Sequence, residues 1–125
     1  MTKSAPRISE SELEILKLLW DESPLGAADL VARAPVERQW SPTTVKTLLA
    51  RLVEKGAVTA TGTGRRYLYC PALDRDTLGA RQAGSLVDRL FGGRVSPLVA
   101  QLAEQRDIDP KDLDELEALI RRLRR

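Results

Sequence analysis

Apolar side chains recur every three or four residues through the first part of the chain, switch to alternation in the middle, and return to the helical interval towards the end. The first helical stripe is Leu13, Leu16, Leu19 and Trp20, widened by Ile15 and Leu18. Ser9-Glu10-Ser11-Glu12 stands in front of it as a capping box, in which hydroxyl and carboxylate satisfy free backbone amides, and predicts a helix running to about Trp20. Ser23-Pro24 and Gly26 interrupt the pattern. A short second helix, from Ala27 to about Arg33, carries Leu30 and Val31 before Pro35 stops it. Ser41 and Pro42 supply the cap and first position of a third helix, and Gly56 its end. At ~100° per residue, Val45, Leu48, Leu49, Leu52 and Val53 fall on one arc of that helix.

After Gly56 the period becomes two. Ala57 to Thr61, a glycine turn at Gly62-Thr63-Gly64, and Arg65 to Cys70 before Pro71 predict a β-hairpin. A fourth helix, from about Thr77 to Phe91, offers Leu78, Leu86, Val87, Leu90 and Phe91 and ends at Gly92-Gly93. Ser96-Pro97 opens a fifth with Leu98, Val99 and Leu102, and Asp109-Pro110 opens a sixth with Leu113, Leu116, Leu119, Ile120 and Leu123. Short amphipathic helices of this kind need a facing surface, and a small chain most often finds it in its own copy. Leu86, Leu90, Phe91, Leu98, Val99, Leu102 and the five apolar residues of the sixth helix are therefore the candidate dimerisation residues. An ordinary core within one chain is the alternative.

Turned away from the leucines of the third helix are Thr43, Thr47, Ala50, Arg51 and Glu54, with Thr44 and Lys46 at the margins. Threonine is a mediocre helix former, so a surface that only had to be wet would not favour it. Charge changes the picture further, because a net charge of only +2 hides a sharp division. From Arg38 to Arg66 the cations Arg38, Lys46, Arg51, Lys55, Arg65 and Arg66 face the single acid Glu54, whereas six acids between Asp107 and Glu117 face only Lys111. The tail closes with Arg121, Arg122, Arg124 and Arg125.

Three helices followed by a hairpin is the order of a winged helix-turn-helix, whose last helix enters the major groove of double-stranded DNA while the hairpin, or wing, reaches the backbone. Ser41 and the amides at the start of the third helix then suit a phosphate. Thr43, Thr44 and Thr47 supply short hydrogen-bonding groups and methyls for base edges, while Lys46 and Arg51 reach guanine or phosphate. Arg65 and Arg66 neutralise phosphates from the wing. A basic outer face on one helix is common as solvated surface; the order of helices, hairpin and charge is the stronger signal.

Composition narrows the function further. With 125 residues, no histidine and one cysteine, Cys70, the chain lacks the usual general base and the usual zinc or iron–sulfur ligands, so it is expected not to be an enzyme and to need no cofactor and no metal. No apolar run is long enough to span a membrane, and MTKSAPRISESE has no signal-peptide core, so a cytoplasmic protein without a membrane partner is expected. Cys70 reads as a small buried hydrophobe, and Trp20 and Trp40 as core anchors.

Ile8-Ser9 with Glu12 and Ile15, Leu19-Trp20, the run Trp40-Ser41-Pro42-Thr43-Thr44-Val45-Lys46-Thr47-Leu48, Arg51-Leu52, Lys55-Gly56 and the pair Tyr67 and Tyr69 together resemble the BlaI/MecI/CopY family of bacterial transcriptional repressors. The resemblance covers nearly the whole chain. It implies a mainly α fold with a small hairpin: a winged-helix DNA-binding domain over residues 1–73 and a helical dimerisation domain over residues 74–125. It further implies repression by a homodimer at an inverted-repeat operator, with Thr43, Thr44, Thr47 and Arg51 as the preferred DNA contacts. Penicillinase-type members are inactivated by a regulatory protease at an Asn-Phe bond; the aligned residues here are Gln101-Leu102, a departure from that pattern. The cysteine-rich metal motif of the copper-responsive branch is absent. The competing reading is a winged-helix module that docks an acidic protein without sequence-specific DNA binding.

Overall fold

The computed structural model describes residues 7–63 and 66–125. Helix α1 spans Glu10–Asp21 and begins with the expected capping box: the Ser9 hydroxyl accepts from the Glu12 amide at 3.1 Å, and the Glu12 carboxylate accepts from the Ser9 amide at 2.8 Å. Its stripe buries Ile15, Leu16 and Leu19 completely. Helix α2 spans Ala27–Arg33, is capped by the Asp29 carboxylate on the Gly26 amide, and buries Leu30. A 3-10 turn at Val36–Arg38, which the periodicity does not signal, leads into helix α3 at Pro42–Glu54. Of the arc expected on α3, Val45, Leu48, Leu49 and Leu52 are buried. Val53 is 40% exposed, because it lies one ~100° step past Leu52, beyond the edge of the packed face.

Strands β1, Val58–Thr63, and β2, Arg66–Pro71, pair antiparallel from Val58↔Pro71 to Thr63↔Arg66. The ladder therefore runs through Gly62, where a turn was expected. Gly62 adopts φ 133°, and a Cβ there would lie 2.1 Å from the Arg66 carbonyl oxygen, so only glycine lets the two strands approach this closely. Leu25 adds a third segment beside β2: its amide and carbonyl bond to Tyr69 at 3.1 and 2.8 Å, making the linker between α1 and α2 a short edge to the hairpin. A single apolar residue between Pro24 and Gly26 carries no period, which is why the pattern missed it.

The core joins Ile15, Leu16 and Leu19 of α1 to Leu25, Leu30, the buried face of α3, Ala57, Val58 and Leu78. Trp20 and Trp40 pack against it as anchors, and the Trp20 indole donates to the Leu73 carbonyl at 2.8 Å. Helix α4, Arg75–Phe91, starts ahead of the expected Thr77, because Asp74 accepts from the Thr77 amide at 2.7 Å and so satisfies a first-turn donor before the apolar stripe begins.

The chain divides into two compact units, one ending at Ser85 and the other beginning at Leu86. The second holds the end of α4, helix α5 at Val95–Gln105 and helix α6 at Pro110–Leu123. Ser96-Pro97 does not open α5; Arg94 is its cap residue, and Pro97 sits in the first turn, where its missing amide costs no helical hydrogen bond. In α6 the Asp109 carboxylate caps as expected, accepting from the Lys111 amide at 2.9 Å. No residue of α5 or α6 is buried.

Candidate nucleic-acid interface

Pro42 and Ser41 fix where α3 begins, and the packed leucines fix which side it shows. Thr43, Thr44, Lys46, Thr47, Ala50, Arg51 and Glu54 are all exposed, together with the cap Ser41. Their hydroxyls are not equivalent. Ser41 Oγ accepts from the Thr44 amide at 3.1 Å and lies 3.0 Å from Thr44 Oγ1, so these two groups are coupled at the start of the helix. Thr47 donates its hydroxyl to the Thr43 carbonyl at 3.0 Å, which turns its remaining lone pairs and its methyl outward. A partner meeting Thr47 would find an acceptor and an apolar group.

The cations divide in a way that the sequence does not reveal. Among the described residues no side-chain hydrogen bond or ion pair engages Lys46, Arg51 or Arg66, all three exposed. Arg65 lies outside the described residues. Arg38 is instead held by both oxygens of Glu14, at 2.9 and 3.1 Å, and lies over the Trp40 ring. The Arg38 hydrogen bond holds the Glu14 carboxyl below its ordinary value, and the same bond raises Arg38. Lys55 pairs with Glu12 at 2.6 Å. Burial pushes the Glu12 carboxyl up, but hydrogen bonds from Lys55 and Ser9 and the Lys55 charge outweigh it, leaving the group below its usual value. Glu12 Oε2 is buried with no partner among the described residues. These pairings join residues 24 and 43 positions apart, beyond the reach of local pattern.

Lys46 and Arg66 also line a groove with Gly26, Pro42, Tyr67 and Tyr69, between α3, the start of α2 and the wing. Tyr67, 49% exposed, is the residue there that charge counting missed. No cluster of acidic or cysteine residues able to hold a metal occurs among the described residues, and no described helix is long and apolar enough to cross a membrane.

In the second unit, Leu86, Phe91 and Leu98 are half-buried, whereas Leu90, Val99, Leu102, Leu113, Leu116, Leu119, Ile120 and Leu123 are exposed. Gln101 and Leu102 are exposed inside α5, where the backbone would have to leave the helix to enter a protease cleft. Cys70 is half-buried on β2.

A family model described as penicillinase repressor matches residues 8–122. The penicillinase repressor of Bacillus licheniformis is 29% identical over 114 residues, covering 91% of this chain and 89% of that protein. The methicillin resistance regulatory protein MecI of Staphylococcus aureus strain N315 is 21% identical over 120 residues, covering 96% and 98% respectively. Among solved structures, the DNA-binding domain of the repressor BlaI superposes with a TM-score of 0.52 and 34% identity, over 61% of this chain and 93% of that domain.

Proposed function

The chain belongs to the penicillinase repressor family, and on that premise we propose that it is a DNA-binding transcriptional repressor that acts in the cytoplasm as a homodimer on an inverted-repeat operator. The observation that carries this reading is the outward face of α3. It is small, hydroxylated and cationic; the Lys46 and Arg51 side chains have no partner among the described residues, and the helix is followed by a hairpin with Arg66 near its tip.

In this reading residues 1–73 bind DNA and residues 74–125 dimerise. Thr43, Thr44, Thr47 and Arg51 read base edges, Ser41 and Lys46 hold the backbone at the start of α3, and Arg65 and Arg66 contact phosphates from the wing. Leu86, Leu90, Phe91, Leu98, Val99, Leu102, Leu113, Leu116, Leu119, Ile120 and Leu123 supply the apolar seam between two copies. A repressor of this kind acts by occupancy, so it needs neither a catalytic group nor a cofactor. A symmetric pair presents its two α3 helices one or more turns of DNA apart, which matches an inverted repeat.

Substitution separates base reading from phosphate contact. Arg51→Ala should cost ~1–3 kcal/mol in discrimination between the operator and a scrambled duplex. Arg66→Ala should weaken both duplexes alike and reduce the slope of log affinity against log salt by about one. Equal, small effects from both would overturn the assignment of α3 as the reading helix.

A further inference from the structure

Arg38 and Lys55 bracket α3 in the chain, and carboxylates on α1 hold both of them. At the leading end Arg38 donates from Nε and Nη2 to the two oxygens of Glu14, at 3.1 and 2.9 Å. Its guanidinium lies 5.7 Å from the centre of the Trp40 ring, and Trp40 itself packs on the core. Between these two residues Gln39 takes the left-handed conformation, φ 50°, which the flanking contacts must hold in place. At the trailing end Lys55 is the cap residue of α3 and reaches Glu12 Oε1 at 2.6 Å, together with the Arg7 carbonyl. Glu12 is 1% exposed and is also fixed by the capping box of α1.

These contacts have the form of a mount. A carboxylate that accepts both arms of a guanidinium fixes the plane as well as the distance, which a single exposed ion pair does not. One attachment lies in the 3-10 turn that leads into α3, four residues ahead of Pro42, and the other at the C-terminal cap of this helix about 20 Å long, so together they restrain the segment that carries α3 from both sides. Side chains that read base edges need such restraint, since an error of about 0.5 Å or 10–20° in a binding constellation is enough to weaken it.

We propose that Glu12 and Glu14 are positioning residues which, by holding Lys55 and Arg38, set the pose in which α3 offers Thr43, Thr47 and Arg51 to the major groove, and so govern operator specificity without touching DNA. The inference rests on the DNA-binding reading above. It removes Arg38 and Lys55 from the set of phosphate ligands, although the basic run in the sequence includes both.

The test uses the full chain and two duplexes, the region upstream of its own gene and a scrambled version, each titrated across a salt series. Arg38→Gln, the isosteric Glu14→Gln, and the exchanged pair Arg38→Glu with Glu14→Arg are compared with the unaltered protein, with thermal melts to establish that each is folded. Each single variant should lose about tenfold in operator preference while keeping the scrambled-duplex affinity and the salt slope, and the exchanged pair should recover most of the loss. At the other end Lys55→Arg should retain the preference and Lys55→Met should lose it. A uniform loss on both duplexes with the salt slope reduced by about one would make Arg38 a phosphate ligand and overturn the proposal. An unchanged preference in folded single variants would also overturn it. Absence of preference in the unaltered protein is seen before any variant is made; it would remove the DNA-binding reading, and this proposal with it.

Discussion

Ile15, Leu16, Leu19, Leu30, Val45, Leu49 and Leu52 in the first unit are wholly buried, whereas α5 and α6 in the second unit bury no residue at all. Leu116 and Leu119 remain 38% and 39% exposed, Ile120 51% and Leu123 74%, on helices as amphipathic as those of the first unit. The same sequence pattern therefore has two outcomes. In one unit the stripes of three helices and a hairpin face one another and close a core. In the other the stripes of α5 and α6 stay exposed, and we propose that this open apolar face is an interaction site. We propose that the first unit holds the DNA-reading geometry and that the second pairs with its own copy.

The sharpest way to break this contrast is to charge the open stripe. Replacing Leu116 and Ile120 together with Glu should convert a dimer to a monomer in sedimentation and lower operator affinity by ~10²-fold or more, because each buried leucine or isoleucine is worth ~1.5–3 kcal/mol and a two-fold interface loses it twice. The melting of the first unit should not change. A variant that stays dimeric would place the seam elsewhere.

The complementary change is Leu49→Ala. This side chain is fully buried, so the substitution should destabilise the first unit by ~2–5 kcal/mol in urea denaturation and leave the self-association of the folded protein intact. Trp20 and Trp40 both belong to that unit and provide the fluorescence signal.

A third test examines how the first unit is held together. Glu12 has its carboxyl lowered in the folded state, so its contribution to stability is present above its ordinary value of 4.5 and is lost as pH falls through the lower folded value. Lys55→Met should cost ~1.5–3 kcal/mol at neutral pH by leaving a buried carboxylate without its cation. Without Lys55 only the Ser9 hydrogen bonds still oppose burial, so the carboxyl is lowered less and the variant should lose less stability on acidification than the unaltered protein. Parallel acid limbs in the two proteins would show that the pair contributes nothing.

The smallest expected effect is that of Ser41→Ala, which should cost about 1 kcal/mol of stability by removing the cap of α3 and freeing the Thr44 amide. If the operator affinity of this variant falls by more than its stability accounts for, Ser41 also meets the phosphate.

Most of the helix starts were legible, because capping is a local rule. Ser9 with Glu12, Ser41 with Pro42, and Asp109 with Pro110 each mark a helix start that the structure shows, because capping involves residues within one turn. The exposed face of α3 was equally legible, since spacing alone determines which side leucines occupy. Long-range pairing was not. The rung from Leu25 to Tyr69, the grip of Glu14 on Arg38 and that of Glu12 on Lys55 depend on where folded elements meet, and nothing in the neighbouring residues encodes them. Ser96-Pro97 misled because the same two residues that can open a helix are also tolerated within its first turn. The second copy was read from the unpartnered helical stripes of residues 86–123, whereas the inverted-repeat operator is an expectation that only the family likeness supplies.

The most direct measurement is fluorescence anisotropy of the full chain against the duplex upstream of its own gene and a scrambled duplex, through a salt series that crosses physiological ionic strength. A sequence-specific repressor should prefer its operator by ~10³-fold or more, and the preference should survive at physiological salt. Weak binding to both duplexes that vanishes as salt rises would contradict the account and would make the basic face of α3 a docking surface for an acidic protein.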